Sequence, residues 1–187
     1  EMGDVEAMMF MAQQFKGKGF TEKNNEHVIY WYEKAEASGD TEASYQLGEV
    51  YAEQGSFHKI VTAAKEMTTA ADAGHSQAQY RLSRMYRRNI SDFPNSSNEQ
   101  IIDLLNRAAL SGHKHAMGDL AYLYHQGAVV PRDYETAYVW ALTAETFGNR
   151  KASLGYSGDD DLTYFSGKLD ADAKHRAQER ANIWKVD

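Results

Sequence analysis

Arg84, Arg87 and Arg88 put three guanidiniums on about one helical turn, a spacing that repels itself unless something anionic meets it. That chemistry is recognition of an acidic stretch. Other residues of reactive type lack the company that reactions need. His113 and His115 flank one residue, with His125 further along; positions two apart on a helix do not face each other, so no metal site is expected. His75 recurs in the His113 column of the repeat described below, which favours a turn or capping role. The Gly155-Tyr156-Ser157-Gly158 stretch lacks the spacing and the preceding strand of a nucleophile elbow. Asp159-Asp160-Asp161 lacks the twelve-residue calcium-loop pattern and reads as a solvated turn. No phosphate-binding glycine loop of either usual form is present. With no convergent acid, base and nucleophile, the chain is not expected to be an enzyme or to hold a cofactor. Asn89-Ile90-Ser91 and Asn95-Ser96-Ser97 are glycosylation acceptors only in a secreted eukaryotic setting, which nothing else supports.

The bulk properties narrow the field in the same direction. A net charge of -7 and a pI near 5.5 count against nucleic acid, whose binders carry a basic excess. No apolar run approaches the roughly 18 residues that cross a bilayer. Zero cysteines excludes disulfides, thiolate metal sites and a cysteine nucleophile, and fits cytoplasm and periplasm alike. A first residue that is not Met reads as a processed or trimmed chain, with a slight lean toward export.

The elements that must position these residues come from an internal repeat. Glycines at Gly3, Gly39, Gly74, Gly112 and Gly148 are spaced 36, 35, 38 and 36 apart. Four residues after each stands an alanine (Ala7, Ala43, Ala78, Ala116, Ala152), and four before the last four stands another (Ala35, Ala70, Ala108, Ala144). Met11, Leu47, Leu82 and Leu120, then Phe15, Tyr51, Tyr86 and Tyr124, complete columns in phase. Alanine, leucine and tyrosine at spacing four make one apolar stripe on a helix. The glycine between stripes suits a left-handed helix end. The reading is an all-α, right-handed α/α solenoid of four helix–turn–helix repeats, plus a partial fifth and a C-terminal capping helix. Helices are expected over 4–16, 25–38, 40–53, 58–73, 75–88, 98–111, 113–126 and 133–147. One repeat domain spans 1–187, with units near 3–38, 39–73, 74–111 and 112–147, and a remainder over 148–187. A polar linker over 89–98 holds Pro94. After a fifth first helix begun at 149–156, a last helix runs from Leu169 to Lys185, with Asp170 as N-cap.

These motifs resemble the Sel1-like repeat family, relatives of the tetratricopeptide repeats. Ala43, Leu47, Gly48, Tyr51 and Gly55 match the first half of its unit. Tyr122, Tyr124, Gly127, Val130, Asp133, Ala137 and Trp140 run through the fourth unit in the family's style. Gly17, Gly19, Trp31, Tyr32, Lys34 and Ala35 match the first, and the tail from Leu169 to Trp184 resembles the acidic-capped final helix common in bacterial members. There are departures. Unit two carries Glu66 where an aromatic belongs, unit three lacks glycines after Tyr86, and Val129 replaces a loop glycine.

The resemblance implies adaptor and scaffold work, in which the first helix of each pair lines a concave groove and another protein lies in it. By helical phase the groove takes Glu6, Met9, Gln13 and Lys16 from unit one. Glu42, Tyr45, Glu49 and Glu53 follow from unit two, and Gln77, Tyr80, Arg84, Arg87 and Arg88 from unit three. Unit four gives His115, Gly118, Tyr122, His125 and Gln126. The partner-binding set is expected to be Glu42, Tyr45, Glu49, Glu53, Tyr80, Arg84, Arg87, Arg88, Tyr122 and His125, with acids beside arginines. An inhibitor or immunity protein against a secreted effector is one form of this. A tyrosine-rich groove that stacks carbohydrate or cell wall is the alternative.

Overall fold

The computed structural model describes residues 4–17, 21–88, 93, 96–148 and 161–183. The expected starts of a fifth repeat at 149–156, the glycine–aspartate interruption before Asp161, and Trp184 and Lys185 lie outside them. So do most of the 89–95 linker and both glycosylation sequences in part or whole.

The chain divides into two compact units, Glu1–Asn95 and Ser96–Asp187, with the division inside the Pro94 linker. The first holds α1 (Val5–Lys16), α2 (Glu22–Ala37), α3 (Thr41–Glu53), α4 (Phe57–Asp72) and α5 (Ser76–Arg88). The second holds α6 (Asn98–Leu110), α7 (Lys114–Gln126), α8 (Tyr134–Thr146), α9 (Asp161–Ser166) and α10 (Ala171–Asn182). Successive helices pack on one another from α1 to α5 and from α6 to α9, and α10 packs on α8. The first eight agree with the expected spans to within a residue, except that α2 starts at Glu22. Thr21 explains the difference, since its side chain caps the helix by accepting from the Asn24 amide.

The glycine columns work through backbone chemistry. Gly39, Gly74 and Gly112 take φ of +89°, +92° and +81°, a region that costs any side chain dearly. There the Asp40, His75 and His113 amides donate back to the carbonyls of Ala35, Ala70 and Ala108, closing each outgoing helix. The same three residues then cap the incoming helix. Asp40 Oδ1 accepts from the Ala43 amide at 2.7 Å, His75 Nδ1 from Ala78 at 3.1 Å, and His113 Nδ1 from Ala116 at 3.2 Å. One residue therefore ends one helix and starts the next, which is why the repeat period is so strict.

Packing follows the apolar columns. Ala43, Ala78 and Ala116 are fully buried, as are Ala35, Ala70, Ala108 and Ala144, while Leu47, Leu82 and Leu120 fill the spaces between. In α1 the column opens out: Ala7 is exposed and Ala12 alone is buried. In the second unit α10 lays Ala173, Ala177 and Ala181 against α8, capped by Asp170 as expected. The short α9 was not foreseen. It delivers Phe165, fully buried, into the core formed by Ala121, Ala137 and Ala177.

Candidate functional site

Within the first unit, α3 and α5 hold eight of the ten expected partner-binding residues: Glu42, Tyr45, Glu49, Glu53, Tyr80, Arg84, Arg87 and Arg88. Their helix phases are set by the paired ends just described, and Gly48 lets α3 lie close on α4, where an added Cβ would stand 3.2 Å from the Ala63 carbonyl oxygen. Ties between side chains then join α3 to α5.

The first tie is built on His75. Its Nδ1 is already an acceptor for the Ala78 amide, so the neutral ring carries its proton on Nε2 and donates it to Glu42 Oε2 at 2.8 Å. The same ring stacks on Tyr45, centroids 4.7 Å apart and planes 20° from parallel. Gln46 Nε2 donates to the other Glu42 oxygen at 2.7 Å, and Lys16 Nζ donates to Gln46 Oε1 at 3.3 Å. A polar strip thus runs from α1 across α3 to the start of α5. Burial raises the Tyr45 phenol above its usual range, with Glu49 adding to the effect and Arg81 opposing it.

Arg81 makes the second tie, and sequence reasoning missed it. Its Nε and Nη2 donate to the two Glu49 oxygens at 2.7 and 2.8 Å, a bidentate pair. The bond to Glu49 raises the arginine's already high proton affinity, against the cost of burial. A signal existed: the two residues are 32 apart, about one turn short of the repeat, so opposite charges at that offset meet across neighbouring first helices. Two of the three acids in the expected partner-binding set, Glu42 and Glu49, are therefore held within the molecule. Glu53 remains exposed.

The expected arginines lie beyond these ties, in the second half of α5. The Arg84 guanidinium sits over the Tyr80 ring, 5.6 Å from its centroid. Tyr80 itself is only 8% exposed, so it serves as a floor for Arg84 and offers little surface of its own. Arg87 is half-buried and Arg88 exposed, both in the last turn, where a helix dipole favours positive charge.

In the second unit, Tyr122 is half-buried on α7. His125 is 9% exposed and ringed by Tyr164, Phe165 and Tyr134, with centroids at 5.2, 5.7 and 5.9 Å. Burial, then Arg132 and Lys168, hold it below the ordinary histidine range. It is a packing residue between α7 and α9. His113 and His115 have ring centroids 5.7 Å apart, and burial followed by His115 lowers the His113 value. Among the described residues no group of three metal-ligating side chains is gathered, and no helix is long and apolar enough to cross a membrane.

Paired helices in phase, joined by polar ties and ending in a cationic turn, define a tetratricopeptide-like α/α repeat protein. Residues 5–40, 76–88 and 114–144 match the Sel1 repeat, so these stretches are Sel1-like repeats. Such repeats are generally protein-interaction modules and non-catalytic scaffolds. The chain is similar, at 27% identity and a TM-score of 0.78, to a protective antigen present in uropathogenic Escherichia coli strains that displays an SLR fold. That match covers 97% of this chain but 38% of the antigen, so the chain spans well under half of it. A Sel1 repeat protein from Oxalobacter formigenes is 24% identical with a TM-score of 0.70, covering 97% of this chain and 72% of that one. No curated protein matches. The stretch 41–75, which carries the unusual Glu66, is not among the matched repeats.

Proposed function

We propose that this protein binds a partner protein along the α3–α5 face of its first unit, with an acidic segment of the partner over Arg84, Arg87 and Arg88. The observation that carries the reading is the division of charge labour on that face. Arg81 and His75 consume Glu49 and Glu42, which fixes the helices and quiets the acidic side. Three arginines stand further along α5, on a chain whose net charge is -7. Arg84 is also pre-oriented on Tyr80, which lowers the ordering cost of meeting a carboxylate.

An inhibitor or immunity role is a narrower form of this reading, and it requires one tight equimolar complex, whereas a scaffold holds several partners weakly. The carbohydrate alternative gains little support, because Tyr80 is buried and one face of Tyr45 is taken by His75. The test is affinity capture from native lysate with the wild type and R84E/R87E/R88E side by side. The partner is retained by the first and lost by the second while helix content is unchanged, and the captured complex weakens as salt rises. Equal capture by both proteins removes this face from consideration.

A further inference from the structure

The residue after a linking glycine closes one helix and caps the next, and its type changes along the chain. Asp40 follows Gly39, but His75 follows Gly74 and His113 follows Gly112. A backbone amide can only donate, so a ring nitrogen that accepts from one must carry a lone pair. His75 Nδ1 accepts from Ala78 at 3.1 Å and His113 Nδ1 from Ala116 at 3.2 Å, so both rings are neutral there, with the proton on Nε2. An imidazolium carries protons on both nitrogens and accepts at neither.

We propose that His75 and His113 are acid-labile corner pins: protonation of either ring releases the cap of the helix it starts, α5 in one unit and α7 in the other, while helices capped by aspartate keep theirs. Histidine ordinarily changes charge between about pH 5 and 8, whereas an ordinary aspartate, near 3.9, stays ionised across that range. The aspartate caps are Asp40 on Ala43, Asp133 on Thr136 and Asp170 on Ala173. A positive ring also suits its place poorly, because the first turn of a helix carries partial positive charge. The two corners differ in what else faces the ring. At His75, Glu42 of α3 accepts from Nε2 at 2.8 Å and Tyr45 of α3 stacks on the ring. Lys16 of α1 reaches Glu42 through Gln46, α5 brings Arg81, already held by Glu49, and the last turn of α4 brings Asp72. Protonation turns the Glu42 contact into an ion pair, so acid leaves this ring tied to α3 while it lets go of α5. At His113 burial opposes protonation first, followed by the charges of His115 and Lys114 from α7. The last turn of α6 brings Arg107, paired with Asp103 at 3.7 Å, and α8 ends at Phe147, whose ring lies beside Gly112. Because the fold holds His113 below 6.5, the unfolded chain takes up the proton first; this contribution to stability is whole above 6.5 and is lost as pH falls below it.

The test is amide hydrogen exchange of the intact chain, read by NMR from about pH 7.5 down to about pH 5. Corrected for the intrinsic rate, protection at Ala78 and Ala116 falls about fivefold, the loss that releasing one side-chain cap produces. Protection at Ala43 and Ala173, capped by aspartates, holds, and the Ala116 response comes only below 6.5. H75N and H113N each keep a capping oxygen that does not titrate, so each abolishes the response at its own corner and leaves the other corner's in place. A histidine-capped amide whose protection follows pH no more than that of Ala43 overturns the pin at that corner. A response at Ala78 that survives in H75N, or at Ala116 in H113N, overturns it too, since the titrating group then lies elsewhere. Should a variant not fold, the wild-type contrast between histidine and aspartate caps decides the matter alone.

Discussion

Gly48→Ala tests whether α3 is seated by close approach, and two effects of opposite sign compete there. Alanine in a helix interior is favoured over glycine by about 1 kcal/mol. The new Cβ, however, would stand 2.6 Å from Met67 Cγ, 3.1 Å from Met67 Cε and 3.2 Å from the Ala63 carbonyl oxygen. Met67 is fully buried, and the Ala63 oxygen belongs to the backbone of α4. Overpacking of this kind costs about 1–3 kcal/mol, and with two obstacles the upper half of that range applies. The net expectation is a loss of about 1–2 kcal/mol, or roughly 2–8 °C in Tm for a chain of this size. Urea unfolding followed by helix content reads the change. A double mutant locates it: M67A alone costs about 2–5 kcal/mol through its cavity, yet G48A/M67A costs less than the sum, because the added methyl now occupies vacated space. A G48A protein more stable than the wild type by the full propensity gain would refute the packing argument.

Two further substitutions or conditions probe the ties and the second unit. Arg81→Lys keeps the charge but loses the bidentate fork to Glu49; with 37% of the Arg81 side chain exposed, screening limits the expected loss to about 0.5–1 kcal/mol, measured as a urea midpoint that shrinks toward wild type in 1 M salt. The second unit should lose stability in acid in two stages. His113 and His125 are held below their ordinary 6.5, so the unfolded chain takes up protons first and stability falls as pH drops below about 6.5. Asp133 and Glu135 are held below 3.8 and 4.5 by hydrogen bonds to Thr136 and to Arg176, and their contribution is lost as pH falls further through those depressed values. Amide exchange at α7 and α8 reads both stages, and H125Q should flatten the first; an unchanged first stage in H125Q would leave His125 without a part in it.

The helices were legible because their signals are local and repeated. Glycine, alanine, leucine and tyrosine recur at fixed offsets, and each offset corresponds to a hydrogen bond or a contact made in the same place every time. The same regularity hid the individual features. His75 falls in a capping column, but its second role, holding Glu42 and stacking on Tyr45, depends on the neighbouring repeat. Arg81 falls between the columns and pairs with a residue 32 positions away, so helical phase within one repeat could not expose it. Tyr80 and His125 illustrate the reverse error. Phase placed both on the groove side, yet an aromatic at the edge of an apolar stripe is easily drawn into the core, and α9 was needed to see that Phe165 and Tyr164 close over His125. The short α9 carries too few residues for a periodic signal to appear.

What distinguishes this chain is therefore carried by residues that break the repeat. The linking residue is aspartate at Asp4 and Asp40 but histidine at His75 and His113, and only histidine can cap a helix with one nitrogen while reaching the previous repeat with the other. His75 does both, and in doing so it donates a hydrogen bond to the acid that an aspartate in its place would have repelled. Glu66 breaks an apolar column, and Arg81 enters where no column requires it and meets Glu49. His75, Glu66 and Arg81 fall on the second repeat and its junction with the third, and the same α3–α5 face ends in the arginine turn. A structural framework indifferent to its partner would have no use for departures concentrated there. Their clustering is the physical reason to look for specificity in the first unit, with Arg84 on its Tyr80 floor as the contact that any acidic partner would meet already in place.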